Sequence, residues 1–263
     1  MTSVAEAIRA ALLTGEPYPK ARAARDVARR WRRGELSLAF DVAMPDRPGR
    51  PDRPELRPPG AMPKRGRGQS LNGRIALLHA LAHIEFVAID LALDMAGRFG
   101  GEMGEGFVGD WLSVAADEAM HFVLLDRRLK ALGSGYGELP AHDGLWEAAE
   151  NTRHDVAARL AIVPMVLEAR GLDVTPATAE RMRIAGDEAS ARILERIYLD
   201  EIRHVRFGTA HFAKVCERRQ IPPVATWQGF VRSHFRGSLK APFNDSARRS
   251  AGLPREFYAG IDL

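Results

Sequence analysis

A five-residue motif decides the fold of this chain and occurs twice, as Asp117-Glu118-Ala119-Met120-His121 and as Asp200-Glu201-Ile202-Arg203-His204. A further glutamate stands 33 residues before each motif glutamate, Glu85 before the first and Glu168 before the second. All of these positions repeat with an offset of 83 residues. The repeat predicts two similar helix pairs, each carrying one copy of the same polar set.

Helical periodicity places these polar side chains on apolar faces. Because a helix turns about 100° per residue, Glu118 and His121 share one face, and Phe122 and Leu125 lie beside them. The second motif projects in the same way. We therefore expect six buried polar groups, which are Glu85, Glu118, His121, Glu168, Glu201 and His204.

Burial of the four carboxylates requires positive charge nearby. An ionised carboxylate without a counter-charge costs several kcal/mol in a protein interior, which a marginally stable fold cannot absorb repeatedly. Two divalent ions would balance the four negative charges, and oxygen-rich ligation with one imidazole per metal favours Fe(II) or Mn(II) over zinc. We predict a site for two metal ions, iron first, with manganese or a mixed manganese–iron pair as the alternative.

Three further residues are predicted to support the ligands. Asp117 and Asp200 precede the motif glutamates, and each could accept a hydrogen bond from the non-ligating nitrogen of the other motif's histidine. This pairs Asp117 with His204 and Asp200 with His121, which would fix both imidazole rings. Tyr198 lies one turn before the second motif and could donate to a carboxylate, although a packed tyrosine is the plainer interpretation.

Other polar or unusual residues near the motifs have simpler explanations. His79 and His83 share a helix face opposite Glu85, so packing is favoured over metal ligation for both. Pro164 lies four residues before Glu168 and should kink its helix.

Composition and cysteine content set the class of protein. The 263 residues are 46% hydrophobic and 27% charged, which suits a soluble chain with a core. The single cysteine, Cys216, excludes an internal disulfide framework and fits a cytoplasmic location. The start of the chain lacks a basic leader, and no apolar run has the length to cross a bilayer, so we expect neither secretion nor membrane insertion.

The basic charge is local. Residues 1–74 hold 16 Lys and Arg against 8 Asp and Glu, a net charge of +8, whereas the remainder has a net charge of −4. Such an excess could attract RNA, DNA, an anionic membrane surface or an acidic partner. A solvated arginine-rich face is favoured over these partners, because aromatic interleaving and a nucleic-acid motif are both missing.

The pattern of apolar residues predicts an all-helical chain. Short helices are expected over residues 3–14 and 18–33, and long helices over residues 71–98, 108–132, 142–171 and 176–218. Breaks are expected at Gly97–Gly106, Gly133–Pro140 and Gly171–Pro176, with Thr175 as the N-cap of the last helix and Gly186-Asp187 as a candidate division within it. Residues 45–68 are rich in Pro, Arg and Gly and should form an extended strap on the bundle.

These elements define the predicted architecture. It is an all-α four-helix bundle with an N-terminal helical and Pro/Arg-rich extension and a C-terminal helical tail; the resemblance described next implies that the bundle is ferritin-like. Residues 1–74 form the basic extension, residues 75–220 form the metal-binding bundle, and residues 221–263 form a tail that packs on the bundle.

The chain resembles the ferritin-like superfamily, and more closely its uncharacterised bacterial branch labelled domain of unknown function 455. The likeness rests on both motifs and on the segments Pro48–Pro51, His79–Asp90, Ala141–Glu147 and Leu167–Pro176. The resemblance implies a dinuclear metal fold. The second motif is also similar to that of the diiron monooxygenases, and by that analogy Glu118 and Glu201 bridge the metals while Glu85 and Glu168 are terminal ligands.

Four functions follow as hypotheses. The first is an oxidoreductase that uses O2 or peroxide on an unknown small-molecule substrate with an unknown electron donor. The others are ferroxidase or iron handling, RNA binding or modification by a diiron hydroxylase, and a metal-stabilised scaffold. The sequence leaves the substrate, the donor and a homo-oligomeric state open.

Overall fold

The computed structural model describes residues 1–62 and 70–261. Within these residues the chain is helical, with irregular connections and two isolated β-bridges, so the all-α prediction is confirmed for this part of the chain. The α-helices, in order, are α1 Val4–Leu13, α2 Pro17–Arg32, α3 Leu71–Met103, α4 Glu105–Ala131, α5 Gly144–Asn151, α6 Val156–Ile162, α7 Ala169–Ile184, α8 Glu188–Arg219, α9 Pro223–His234 and α10 Asp245–Ser250. A π-helical segment, Val163–Glu168, joins α6 to α7.

The chain forms two compact units. Unit 1 comprises Met1–Trp146 and Arg181–Ile193, and unit 2 comprises Glu147–Glu180 and Leu194–Leu263. Residues of α7 and α8 belong to both units. The sequence-based division into residues 1–74, 75–220 and 221–263 stays a prediction.

The core of unit 1 is built on α3 and α4, which pack along each other. The Ser70 side chain starts α3 by accepting a hydrogen bond from the Gly73 amide. The predicted break at Gly97–Gly106 is confined to Gly104, which has φ +86. Gly97 lies inside α3, where an added Cβ would lie 2.4 Å from the Met44 sulfur. The glycine at this position therefore allows close packing rather than a break.

The two short N-terminal helices are confirmed and pack on α3 and α4. Ser3 and Glu6 form a reciprocal capping box at the start of α1. Three basic residues in the last turn of α2, Arg29, Arg30 and Arg32, complement the negative end of its dipole.

Residues 45–62, here called the strap, lie along unit 1 as predicted. The Gly49 amide donates to the Leu12 carbonyl at 2.8 Å, and the Arg57 amide donates to Ala141 at 2.8 Å. Leu56, an apolar residue of the strap, is 44% exposed, so backbone hydrogen bonds rather than its side chain hold the strap. The predicted strap ran to residue 68, and its part from residue 63 onward lies outside the described residues.

A buried ion cluster on Asp90 ties the strap and α2 to α3. Lys20 and Asp90 are fully buried, and the Lys20 Nζ lies 2.5 Å from Asp90 Oδ1 while also donating to the carbonyls of Leu12 and Gly49. Arg50 binds the other carboxylate oxygen of Asp90. Burial lowers the pKa of Lys20 and raises the pKa of Asp90, and the attraction between the two opposes both changes.

Unit 2 is organised around α6, the π-helical segment and α9. Trp227 of α9 is fully buried, and its indole donates to the Ala161 carbonyl at 3.2 Å. Arg248 of α10 is 2% exposed and binds both carboxylate oxygens of Asp173, at 2.8 and 2.7 Å. The predicted C-terminal helix and loop are therefore confirmed, with α10 as an addition.

The predicted third long helix, residues 142–171, was wrong. The chain breaks at residues 152–155, where the Asp155 side chain caps α6 by accepting from the Ala157 amide. The connection is further fixed by Arg159, whose guanidinium donates to Thr152 and to the Ala149 carbonyl.

The predicted break at Gly171–Pro176, with Thr175 as N-cap, was also wrong, because α7 runs through Pro176. A proline inside a helix leaves the carbonyl four residues earlier without its usual amide donor. That carbonyl belongs to Leu172, and it accepts from the Asn244 side chain at 3.1 Å. The break lies instead at Gly186, which has φ +75, and Asp187 caps α8 through the Ser190 amide.

Helix α3 also corrects the membrane prediction. By length and composition alone Leu71–Met103 could cross a membrane, contrary to the expectation that no run was long enough. Most of its apolar window, 67%, is buried within the protein, as in the core helix of a soluble protein. The cytoplasmic location stays a prediction.

Replacing Asp90 by Asn should destabilise the protein by about 3–5 kcal/mol, because the fully buried Lys20 and the partly buried Arg50 would lose their negative partner. Urea unfolding monitored by circular dichroism measures the change. Glu55→Gln is the control, since its ion pair with Arg57 is exposed and contributes little. Equal unfolding midpoints for the two variants would show that the ion cluster does not stabilise the protein.

Candidate metal centre

Unit 1 brings three of the predicted ligands together. Glu85 of α3 and Glu118 and His121 of α4 each offer a ligand atom, and these atoms lie within 4.8 Å of one another. The His121 Nδ1 is 3.2 Å from Glu85 Oε2 and 3.2 Å from Glu118 Oε2. The three side chains are 5%, 1% and 0% exposed, respectively, so the cluster is closed to bulk water.

The electrostatics of this cluster favour a cation. Burial, followed by the nearby charge of Glu118, raises the pKa of Glu85 well above its ordinary value, and the hydrogen bond to His121 opposes the rise. A bound cation would offset this cost, because an opposite charge nearby favours the ionised carboxylate. Two carboxylates and one imidazole are a donor set that fits Fe(II) or Mn(II).

Three aromatic rings pack against one another in unit 1. Phe86 and Phe122, the residues after Glu85 and His121, have ring centroids 5.3 Å apart. Tyr136 contacts both rings, at 5.4 Å from Phe86 and 5.1 Å from Phe122. Tyr136 was not predicted, because it lies in the glycine-rich break at Gly133–Pro140. There its aromatic side chain is the only signal that the sequence offers.

Unit 2 holds the second motif on α8. Glu201 and His204 are 7% and 0% exposed, and the His204 Nδ1 lies 3.8 Å from Glu201 Oε1. Helix α7 passes close by, since a Cβ added at Gly171 would meet the Glu201 side chain at 3.9 Å. The motif glutamate and histidine therefore share one buried face of α8, as the periodicity predicted.

Glu168 is the last residue of the π-helical segment and is half-buried, so the prediction that all six polar groups are buried was wrong for this residue. The kink predicted at Pro164 takes the form of this π-helical segment. Turns of this type often occur at functional sites. Pro164 packs against Gly208 of α8, where an added Cβ would lie 2.4 Å from the Pro164 Cβ. The glycine thus allows the segment that carries Glu168 to approach α8.

Two of the three predicted supporting residues, Asp200 and Tyr198, form hydrogen bonds with residues outside the motifs. Asp200 accepts from Arg196 at 2.7 Å, one turn earlier on the same helix. The Tyr198 hydroxyl accepts from Asn244 at 3.3 Å. Asp117 is half-buried on α4. The proposed pairing of each aspartate with a motif histidine stays a prediction.

His79 and His83 are packing residues, as the sequence indicated. His79 Nε2 accepts the Gly137 amide at 3.0 Å. The two ring nitrogens of His83 lie 3.0 Å from the Tyr136 hydroxyl and 3.2 Å from the His142 carbonyl. Burial lowers the pKa of His79 to about 4 and that of His83 to about 3, so both are neutral at pH 7.

Comparison with known proteins places the chain in a family. The family described as "Protein of unknown function (DUF455)" matches residues 13–259, and the chain belongs to it. An uncharacterized protein of Haemophilus influenzae is 43% identical over 209 residues, which cover 77% of this chain and 72% of that protein. No solved structure matches the chain.

Gly208→Ala should destabilise the protein by about 1–3 kcal/mol, because the new methyl group would push against Pro164. Gly229→Ala is the matched control, since this glycine lies in α9 with nothing within 4 Å of an added Cβ. We expect the control to be stabilised by up to about 1 kcal/mol through helix propensity. Urea unfolding compares the two, and a tolerated Gly208→Ala change would contradict the tight packing.

His79 makes the stability of the protein sensitive to acid. Its folded-state pKa of about 4 lies below the ordinary value of 6.5, so its stabilisation is present above pH 6.5 and is lost as the pH falls towards 4. His79→Gln keeps an acceptor for the Gly137 amide without titrating in this range.

Between pH 6.5 and pH 4, the free energy of unfolding of His79→Gln should therefore fall less than that of the parent protein, and the difference should be on the order of 3 kcal/mol. Urea midpoints across that range measure the difference. His154→Gln, at an exposed position, is the control. Parallel pH profiles for His79→Gln and the parent protein would contradict the assignment.

Proposed function

We propose that this chain is a ferritin-like dinuclear metal protein. Its ligands are three side chains from each copy of the repeat, Glu85, Glu118 and His121 from the first and Glu168, Glu201 and His204 from the second. The observation that carries the proposal is the buried cluster of Glu85, Glu118 and His121 in unit 1. Two buried carboxylates around one imidazole are hard to explain without a cation.

The repeat supports an equivalent role for the second motif. Glu201 and His204 have the same spacing as Glu118 and His121, and both are buried in unit 2 as the first pair is in unit 1. Glu168 precedes Glu201 by the same 33 residues that separate Glu85 from Glu118. The same ligand types in the same order favour one metal for each copy.

Charge and donor type favour iron. Four carboxylates balance two divalent ions, and the six ligands contain carboxylate oxygen and imidazole nitrogen but no thiolate. The lone cysteine, Cys216, is buried in α8, and burial raises its thiol pKa. Manganese, alone or paired with iron, fits the same donor set.

We further propose that the protein is an oxidoreductase that consumes O2 or peroxide and oxidises a small organic substrate with electrons from a separate donor. Bound iron would supply the redox capacity for this chemistry. The chain contributes the carboxylates of Glu85 and Glu118 and the imidazole of His121, whose burial keeps bulk water away from the site. The likeness of the second motif to that of diiron monooxygenases supports this class of reaction.

The experiment is anaerobic titration of the metal-free protein with Fe(II), followed by O2 uptake in the presence of an artificial reductant. We expect binding to saturate at two irons per chain and O2 to be consumed only by the loaded protein. Many irons per chain, without O2 uptake beyond iron oxidation, would favour the iron-handling hypothesis. Absence of Fe(II) and Mn(II) binding would contradict the metal site itself.

Glu85→Gln separates metal binding from folding. Glutamine carries no charge, so the metal-free variant should be more stable than the parent protein at pH 8, where the raised pKa of Glu85 disfavours the folded state. Its Fe(II) affinity should fall more than about 10-fold, because a ligand is lost.

Thermal unfolding without metal and Fe(II) titration provide the two measurements. Glu35→Gln, an exposed carboxylate in unit 1, is the control and should change neither. A Glu85→Gln variant that binds Fe(II) as tightly as the parent protein would remove Glu85 from the ligand set.

A further inference from the structure

A groove of about 640 Å³ lies in unit 1 and has no role in the proposed metal chemistry. Its walls come from the start of α2, the strap, the second half of α4 and the loop that follows α4. This volume is within the usual range of small-molecule sites. The groove is therefore large enough for a ligand of moderate size.

Three aromatic rings form one wall of the groove. Tyr18 and Phe122 have ring centroids 6.1 Å apart at an angle of 66°, and Phe122 and Tyr136 have centroids 5.1 Å apart at 84°. Phe122 is fully buried beneath the other two rings. These edge-to-face contacts hold the rings rigidly, so they offer a preformed apolar surface.

The charged residues around this wall are mainly acidic. Glu16, Asp52 and Glu138 line the groove and are exposed, and Arg53 is an exposed cation among the lining residues. Within the described residues, neither Glu16 nor Asp52 takes part in an ion pair. The groove therefore has an unbalanced negative charge that would attract cations and repel anions.

The wall already holds one ammonium group of the protein itself. The Lys130 Nζ lies 4.6 Å from the centre of the Tyr18 ring and donates to the Tyr18 hydroxyl at 3.0 Å. It also pairs with Asp126 at 2.7 Å, and Asp126 accepts from the Tyr18 hydroxyl at 2.6 Å. Lys130 and Asp126 balance each other, so the acidic residues that remain are left for a second cation.

We propose that this groove binds a small organic cation, an amine or a guanidine carried on an apolar or aromatic body. The body would pack on the rings of Tyr18 and Tyr136, and the cationic head would lie among the carboxylates of Glu16, Asp52 and Glu138. A cation is attracted to an aromatic face, and nearby carboxylates add to the attraction. The inference does not rest on the proposed metal function.

Isothermal titration calorimetry with three probes of one skeleton tests the proposal. Phenethylamine, 2-phenylethanol and phenylacetate carry a positive, a neutral and a negative head on the same aromatic body. We expect phenethylamine to bind with a dissociation constant of about 1 mM or tighter, and the other two to bind at least about 10-fold more weakly. Added salt should weaken the binding of phenethylamine, because it screens the carboxylates.

Two variants locate the site. The double change Asp52→Asn and Glu138→Gln should weaken phenethylamine binding about 3- to 10-fold, and Tyr18→Leu should weaken it about 2- to 5-fold. Glu35→Gln, an exposed carboxylate outside the groove, should leave it unchanged. Circular dichroism establishes that each variant is folded.

If a variant fails to fold, the binding of the three probes to the wild-type protein still tests the proposal. No binding of phenethylamine, equal binding of the three probes, or unchanged affinity in the folded groove variants would overturn the proposal. Glu85→Gln should bind phenethylamine like the parent protein, with or without metal. Failure of the metal proposal and failure of the groove proposal therefore give different results.

Discussion

The structure depends on placing carboxylates in an apolar interior and supplying the cations that make this tolerable. Glu85 and Glu118 are both buried around His121, and the raised pKa of Glu85 reflects first its burial and then the nearby charge of Glu118. A protein could avoid this cost by using apolar residues at the same positions. That it keeps two acids beside an imidazole is the physical reason to assign a metal to the cluster.

A second acidic position also repeats between the two copies, and there basic side chains of the protein itself balance the buried carboxylates. Asp90 follows Glu85 by five residues, as Asp173 follows Glu168. Asp90 is neutralised by Lys20 and Arg50, and Asp173 by Arg248. Each unit thus uses a basic residue from outside its motif helices to fix the helix that carries the upstream glutamate. Part of the basic excess of the N-terminal segment therefore serves internal ion pairs.

The sequence predicted the features that depend on local periodicity. The α3 and α4 helices, the burial of Glu118 and His121 on one face, and the strap all follow from spacing and composition. The errors arose where a distant residue decides the local structure. Pro176 signals a break in any sequence, and only Asn244, bonded to the Leu172 carbonyl, explains its place inside α7. The aromatic wall at Tyr136 was missed for the same reason, because its partners lie on other elements.

The central claim is that cations of a transition metal neutralise these buried acids. Elemental analysis of the protein purified from its own host, without added metal, tests this claim most directly. The account predicts close to two transition-metal ions per chain, mainly iron. Protein that is folded, pure and free of transition metals would contradict it.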